Sequence, residues 1–202
     1  MDLQTNIILN KNEILKTVLN NIILLFKRRN LLENDFNVSE KMLKEYYEDK
    51  VLYFKSNNNN LSFIYLDTDI KNITTGTMID DYINKNNEYK KFILCKTFNK
   101  KVYKQIEEIY KNSEIFLIHE FLEDIPSKHF IPEHKILTSE EKDDLQKNIK
   151  LNELSKMFKT DTMARYYGAN KNDVFRIKRY NLNSGISVVY RIVTENNYDI
   201  LF

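Results

Sequence analysis

The stretch FIPEHKILTSEEK, residues 130–142, carries the signals that divide this chain. Proline and histidine are rare, with 2 and 3 copies in the whole sequence, yet Pro132 and His134 both fall here. Proline lacks a backbone donor and restricts the residue before it, so Pro132 indicates a turn. Thr138 followed by Glu141 matches a capping box and predicts a helix start. Two alternatives arise: a metal or catalytic site, or a boundary between domains.

The metal alternative depends on His119, His129 and His134 together with Glu133. A metal-binding helix needs two histidines on one face, as in H-E-x-x-H, whereas Pro132 interrupts this pair and His119 lies in a predicted strand. The spacing favours a structured linker in which a hydrogen-bonded histidine fixes how two domains meet. We therefore predict no metal site and no cofactor.

Length and composition fit a globular chain of two small domains. The 202 residues are 42% hydrophobic and 30% charged, which is enough apolar area for a core. We place the boundary in the quoted stretch and predict an N-terminal domain over residues 1–128 and a C-terminal domain over residues 129–202. The net charge of +2 provides no global field toward nucleic acid or an anionic membrane, so any such contact must be local.

Cysteine usage and hydropathy indicate the compartment. The single cysteine, Cys95, excludes an intrachain disulfide and a cysteine-rich zinc site, and it fits a reducing environment. Its apolar surroundings predict a buried, inert thiol. No apolar run approaches the roughly 20 residues of a membrane span, and the polar start MDLQTN is unlike a signal peptide. We expect a protein that stays inside a cell, or inside something made there.

The N-terminal domain shows helical and strand periodicity in turn. Apolar residues at three- and four-residue spacing predict a helix over residues 12–29, and NVSE predicts a second, capped by Asn37 with Glu40 reaching back. The runs LSFIYLD, KKFILCKT and EIFLIHEF are typical of strands, and KVYKQIEEIYKN of a helix on Val102, Ile106 and Ile109. Strand, helix, strand predicts a parallel pair with a crossover.

The C-terminal domain ends in a predicted hairpin, DVFRIKRY and ISVVYRIV, joined by NLNSG. Before it, SEEKDDLQKN predicts an acidic helix, and TDTMARYYG a short one capped by Thr160 or Asp161 and ended by Gly168. Strand alternation separates a basic face from an apolar face. The basic face carries Arg176, Lys178 and Tyr180, and the apolar face carries Phe175 and Ile177.

Catalytic arrangements find little support. No nucleophile elbow is present, and the pairs Asp67/Asp69 and Asp80/Asp81 suit solvated loops and helix ends. The α/β middle raises one alternative, a metal-dependent nuclease in which Asp67 precedes an acid-x-Lys triplet on the next strand. That triplet reads Leu94-Cys95-Lys96, and leucine cannot ligate magnesium, which requires oxygen. The scaffold is compatible with a nuclease while the chemistry is missing.

Two groups of cations are candidate contacts. Lys27, Arg28 and Arg29 end the first helix, where they either cap it or contact phosphate. The hairpin concentrates further cations on one small sheet, which suggests an acidic or nucleic-acid partner. These hairpin cations are Arg176, Lys178, Arg179 and Arg191.

The segments FIPEHKILTSEEKDDLQKNIKL, TDTMARYYGANKNDVFRIKRY and SGISVVYRIV, taken in order, resemble a known domain. It is the C-terminal assembly domain of the fifth-largest subunit shared by the eukaryotic nuclear RNA polymerases, a family that also has archaeal members. The resemblance covers residues 129–193. The matching residues are Pro132, His134, Thr138, Glu141, Leu151, Asp161, Ala164, Arg165, Tyr166, Gly168, Tyr190 and Arg191.

Three departures from the family pattern concern loops. Thr162 replaces a proline, Asn172-Asp173 stands where Arg-Gly is usual, and NLNSG replaces the usual turn. The first two thirds of the chain match the family only in layout. The resemblance implies an α+β fold of two domains. One is an N-terminal α/β jaw on a restriction-endonuclease-like scaffold without nuclease activity, and the other is a small mixed α/β assembly domain with a terminal hairpin.

The function that the resemblance implies is structural. We expect a non-catalytic subunit of a DNA-directed RNA polymerase that docks on the largest subunit, beside small shared subunits, with its jaw near downstream duplex DNA. Membranes and small-molecule substrates are not expected partners. Expected partner contacts add Pro132, His134, Asp161, Arg165, Tyr166 and Gly168 to the four hairpin cations, and Lys27, Arg28 and Arg29 are expected near DNA.

The skewed composition suits a large DNA virus or an AT-rich eukaryote. The resemblance implies a nuclear location or, for a virus, host cytoplasm and virion. A free-standing interaction protein that shares the assembly fold remains a third alternative.

Overall fold

The computed structural model describes residues 10–56, 59–181 and 185–195. The chain divides into two compact units, residues 1–123 and 124–202. Each unit contains one four-stranded sheet together with helices, so the mixed α/β class is confirmed. The functional boundary between residues 128 and 129 stays a prediction. No helix in the described part of the chain combines the length and the apolar character that a membrane span requires.

The N-terminal unit alternates helices and strands. Its elements are α1 (Lys11–Arg28), α2 (Glu40–Asp49), β1 (Val51–Ser56), β2 (Asn59–Ile70), α3 (Met78–Lys85), β3 (Lys90–Phe98), α4 (Lys100–Glu108) and β4 (Ser113–Leu117), followed by a 3-10 turn at Ile118–Phe121. The sheet order is β1-β2-β3-β4, with β1 antiparallel to β2 and the other pairs parallel. The predicted parallel pair with a helical crossover, β3-α4-β4, is confirmed.

Burial explains this arrangement. The predicted apolar stripe of α1 is buried, and β3 is buried through Phe92, Ile93, Leu94 and Cys95, as expected for a strand covered on both faces. Two elements, α3 and β1, have no counterpart in the sequence prediction. In α3, Ile79 and Ile83 form the buried side, four residues apart.

Three local predictions for this unit are wrong. Ser39, not Asn37, caps α2, because its hydroxyl accepts from the Met42 amide at 3.2 Å while the Asn37 amide donates to the Asp35 carbonyl. Ile109 lies just past the end of α4 and is 63% exposed. His119 lies in the 3-10 turn rather than in a strand, since the Glu120 carboxylate accepts from the Leu117 amide at 2.7 Å and ends β4 there.

The C-terminal unit builds its sheet from strands far apart in sequence. Its elements are a 3-10 turn (Ile125–Ser127), β5 (Glu133–Ile136), α5 (Ser139–Gln146), a 3-10 turn (Leu151–Glu153), β6 (Ser155–Phe158), α6 (Thr162–Tyr167), β7 (Val174–Asn181) and β8 (Gly185–Thr194). The order is β5-β7-β8-β6, with β6 parallel to β8 and the other pairs antiparallel. The predicted hairpin is confirmed, and most of its predicted NLNSG turn lies outside the described residues.

Capping sets the helix ends of this unit. Thr138 and Glu141 form the predicted reciprocal box, with backbone-to-side-chain distances of 3.0 and 3.2 Å. Of the two caps considered for α6, Asp161 is the one that accepts from the Met163 amide, at 2.9 Å. Gly168 ends α6 at φ 66°, in the left-handed region that suits glycine.

Candidate docking surface of the C-terminal sheet

The register of β7 and β8 defines two faces of the C-terminal sheet. We call the inner face the side that carries Phe175 and Ile177, which are 0% and 2% exposed and pack with Met157, Ala164, Ala169 and Val193. The outer face is the opposite side, where three cross-strand pairs lie next to each other. These pairs are Arg176 with Tyr190, Lys178 with Val188, and Tyr180 with Ile186. The predicted placement of Arg176, Lys178 and Tyr180 on the face opposite Phe175 and Ile177 is therefore confirmed.

The outer face is apolar as well as basic. Tyr180 and Ile186 are 72% and 63% exposed, and Val188 is 46% exposed. The edge strand β5 continues this face, because Glu133 pairs in register with Lys178, and Lys135 with Arg176. Exposed apolar side chains in adjacent register form a contiguous patch, which is typical of an interaction surface rather than of a solvated sheet face.

Ion pairs balance part of this charge. The Lys178 ammonium lies 3.3 Å from the Glu133 carboxylate, and the Lys135 ammonium lies 2.6 Å from Glu141 at the start of α5. Arg176 lies near Glu141 and lowers its pKa, after the larger effects of the Lys135 hydrogen bond and the Thr138 amide. Because these pairs are solvent-exposed, they contribute little to stability and leave the arginine and lysine available to a partner.

Arg179 and Arg191 lie on the other side of the sheet from Arg176 and Lys178. In register Arg191 stands opposite Phe175, and Arg179 follows Ile177 by two residues, so both belong to the inner face. The four hairpin cations therefore do not share one face of the sheet. Alternation along β7 separates Arg179 from Arg176 and Lys178, and the register between β7 and β8 fixes the face of Arg191.

His134 marks the edge of the inner face. Its Nδ1–H donates to the Pro132 carbonyl at 2.7 Å, which leaves Nε2 as the acceptor, and its ring meets Phe175 edge to face at 5.9 Å. Burial lowers the His134 pKa, and Arg191 and Arg179 lower it further, while the Pro132 carbonyl and Asp161 oppose them. A neutral histidine that holds the Pro132 turn explains the motif without a metal.

Two of the expected contact residues lie inside the unit. Arg165 and Tyr166 in α6 are 8% and 5% exposed, so their side chains are packed within the domain rather than presented at its surface. Asp161 is exposed and serves as the helix cap, and Gly168 is partly exposed where the helix ends. These motif residues shape α6 against the inner face.

The three basic residues that end α1 do not act as one group. The Arg29 side chain is 4% exposed, and its Nη1 donates to both Glu114 carboxylate oxygens at 2.8 and 2.9 Å. Lys90 adds a second cation at 3.0 Å from Glu114. Burial raises the Glu114 pKa, but the two cations outweigh it and hold that pKa below its ordinary value. Arg29 is therefore a structural residue, whereas Lys27 borders a surface groove.

The residues of the nuclease alternative do not form an acidic site. Asp67 is about half exposed, with its carboxylate 3.4 Å from the Lys11 ammonium. Leu94, at the position that would need a carboxylate, is 0% exposed in the core. Among the residues that the structure describes, no group of three histidine, cysteine or acidic side chains is placed to hold a metal ion.

Comparison with known proteins identifies the family. Residues 123–193 match the family model described as RNA polymerase Rpb5, C-terminal domain. DNA-directed RNA polymerase subunit 5 of Acanthamoeba polyphaga mimivirus is 29% identical over 189 residues, which cover 88% of this chain and 91% of that protein. Subunit Rpo5 of Methanocaldococcus jannaschii is 35% identical over 65 residues, 31% of this chain and 83% of the archaeal protein.

A third relative is eukaryotic. Subunit RPABC1 of the RNA polymerases I, II and III of Caenorhabditis elegans is 34% identical over 82 residues, 40% of this chain and 39% of that protein. The class that these matches define is a non-catalytic subunit of a multisubunit DNA-directed RNA polymerase. Within that class, the chain belongs to the Rpb5/RPABC1/Rpo5 family of fifth subunits. This membership confirms the predicted family and contradicts the nuclease alternative.

Proposed function

We propose that the C-terminal unit docks this subunit on the largest polymerase subunit, and that the outer face of its sheet provides the contact. The observation that carries the proposal is the adjacency of Tyr180, Ile186 and Val188 to the Arg176 and Lys178 side chains. An apolar centre with charges beside it is the anatomy of a specific protein interface. The partner is expected to present apolar side chains flanked by carboxylates.

We assign the proposed contact residues by how exposed they are and by the sheet face on which they lie. Arg176 and Lys178 on the outer face are the proposed main contacts. Pro132, His134, Arg179 and Arg191 form a second proposed contact region along the inner edge, where a neighbouring small subunit would meet the sheet. Asp161 and Gly168 would contribute backbone and carboxylate at the end of this edge. The buried side chains of Arg165 and Tyr166 are proposed to pack α6 within the unit rather than to contact a partner directly.

The test is recovery of the polymerase. A tagged chain expressed in its native source should bring down the largest subunit, and Arg176→Glu with Lys178→Glu should reduce that recovery at least tenfold because two attractive contacts become repulsive. The matched control reverses Lys147 and Lys150, whose side chains are 73% and 84% exposed in the same unit. Circular dichroism should be unchanged in both.

Two outcomes would contradict the proposal. If the unaltered chain brings down no largest subunit, the docking function fails. If both double reversals reduce recovery equally, the outer face has no special role. Loss of the folded spectrum in the Arg176/Lys178 variant would show that these side chains are structural and would also contradict a docking role.

The N-terminal unit is proposed to be the jaw near downstream DNA, on a restriction-endonuclease-like scaffold whose acidic site is absent from the described residues. Its mixed sheet with three parallel strands and a crossover helix supports that layout. Of the basic residues that end α1, Lys27 and Arg28 remain candidates for DNA proximity. A photo-crosslinker at Arg28, which does not line the groove beside Lys27, should label downstream duplex DNA in the assembled polymerase, and absence of any DNA adduct would contradict the jaw position.

The cellular location is also a proposal. One relative is encoded by a giant virus, which supports a viral setting for this subunit. In that setting the subunit would act in host cytoplasm and be packaged in the virion, and in a cellular setting it would act in the nucleus. Fractionation of expressing cells distinguishes these places.

A further inference from the structure

The N-terminal unit carries a groove that the docking function does not use. It lies between α1, the segment that follows α1, and the start of α2, with a volume of about 440 Å³. Five of its nine lining residues are apolar. The apolar residues are Ile23, Leu24, Phe36, Val38 and Leu43. This volume lies within the range of sites that hold a few ligand side chains.

The groove lies along the less buried side of α1. Seven residues of the helix are buried, and of these only Ile23 also lines the groove. The buried residues are Leu15, Val18, Leu19, Ile22, Ile23, Leu25 and Phe26. Leu24 and the three apolar lining residues beyond α1 are half-buried. Leu24 on α1 and the apolar residues of the following segment together form an apolar floor that can hold another amphipathic element.

The charge around the groove indicates what kind of segment could bind there. Lys16 and Lys27 border the groove, and no lining residue is acidic. They are eleven positions apart on α1, which separates them by about 16 Å along the helix axis at 1.5 Å per residue. Neither lysine forms an ion pair with any residue that the structure describes. Glu33, Asp35 and Glu40 are exposed nearby in sequence but do not line the groove.

We propose that this groove binds an amphipathic helical segment of a protein partner, with two or three apolar side chains on the floor and carboxylates toward Lys16 and Lys27. The distance between the lysines fits a helix of about three turns. Nucleic acid fits less well, because phosphates gain nothing from an apolar floor, and base stacking would have only Phe36 as a platform. The groove belongs to the N-terminal unit, so this binding adds a second protein contact to the proposed polymerase docking.

The experiment measures binding of model peptides to the full-length chain by fluorescence anisotropy. The probe is a labelled helical peptide of about 12 residues with leucines at i, i+4 and i+7 and aspartate and glutamate on its other positions. One comparison peptide replaces the acids by lysine, and another replaces the leucines by serine. The acidic leucine peptide should bind at least tenfold more tightly than either, and added salt should weaken it because the charges are exposed.

Variants locate the site. Lys16→Glu with Lys27→Glu should weaken the acidic peptide at least tenfold, and Leu24→Ser should weaken it independently of salt. The matched control reverses Lys55 and Lys85, which are exposed in the same unit and lie outside the groove. It makes the same change in net charge and should bind as the unaltered chain does.

Each remaining outcome counts against the proposal. Equal binding of the three peptides would show nonspecific adsorption. Equal weakening by both double reversals would assign the effect to net charge alone. A duplex DNA that competes for Lys16 and Lys27, with no effect of Leu24→Ser, would assign the groove to nucleic acid and overturn the peptide proposal. Because the readout is peptide binding to the isolated chain, failure here leaves the copurification test unaffected.

Discussion

Replacing Glu114 by glutamine should destabilise the N-terminal unit, because the Glu114 carboxylate joins the end of α1 to the sheet. It accepts two hydrogen bonds from Arg29 and lies 3.0 Å from the Lys90 ammonium. Both cations also lie over the Phe92 ring, at 5.6 and 5.5 Å from its centroid. Glutamine keeps the shape and removes the negative charge that faces the buried Arg29 guanidinium.

The expected loss follows from burial. Removing one partner of a fully buried ion pair costs about 3–5 kcal/mol. The Arg29 side chain is 4% exposed but that of Glu114 is 26% exposed, so water solvates part of the site and the loss should fall at or below the lower end of that range. We expect Glu114→Gln to lower the free energy of unfolding by about 2–3 kcal/mol, or the melting temperature by about 5–10 °C for a protein of this size. Urea titration followed by circular dichroism measures the former and calorimetry the latter.

The pH dependence supplies a second check. The pKa of Glu114 is lower in the folded state than in the unfolded chain, where a glutamate titrates near pH 4.3. Its contribution is therefore complete above that value and is lost as the pH falls through the folded-state pKa. The stability difference between Glu114→Gln and the unaltered chain should be constant near neutrality and narrow below about pH 4.

The N-terminal unit offers a matched control for Glu114→Gln. Glu48→Gln removes an exposed carboxylate from α2 in the same unit and should leave stability unchanged. A loss of less than about 0.5 kcal/mol for Glu114→Gln, the scale of ordinary surface changes, would contradict this role of Glu114. A difference that persists undiminished into strong acid would also contradict it, because the charge of Glu114 would then not be its source.

Two further predictions concern the cores of the two units. Cys95 is 0% exposed, and burial raises its pKa to about 12, with smaller effects from Glu120 and Asp69. A thiol reagent should therefore label Cys95 only after denaturation. Labelling of the native chain at neutral pH would contradict its placement. Phe175→Ala should lower the free energy of unfolding by about 3–5 kcal/mol, because Phe175 is fully buried. It should abolish both the folded spectrum of the C-terminal unit and polymerase recovery. Full recovery with a destabilised unit would show that docking does not need the inner-face core.

How much of the fold could be predicted depends on how local its determinants are. The stripe of α1, the buried strand β3, the Thr138 box and the β7-β8 hairpin each follow from periodicity or capping within a short window. Strand β6 could not be predicted in this way. It has only four residues, one of them buried, and it exists because β8 provides a parallel edge for it.

The candidate surface shows the same limit. Alternation along β7 correctly separates Arg176 and Lys178 from Phe175 and Ile177. It cannot place Arg191, whose face depends on the register between β7 and β8. A shift of that register by one residue would move Arg191 to the other side of the sheet. The Arg29–Glu114 pair could likewise not be predicted from the sequence, because Arg29 lies at the end of α1 and Glu114 in β4, and only the tertiary fold brings them together.

The motif residues that build the C-terminal unit therefore have a different role from Arg176 and Lys178, the proposed main contacts. Thr138, Glu141 and Asp161 cap helices, Gly168 takes the left-handed conformation, and Tyr166 is packed in the core. Each specifies the shape of the C-terminal unit, and none of them belongs to the outer face. Variants of the motif should consequently lose recovery and folding together. Variants of Arg176 and Lys178 should lose recovery alone, and only that second result measures docking.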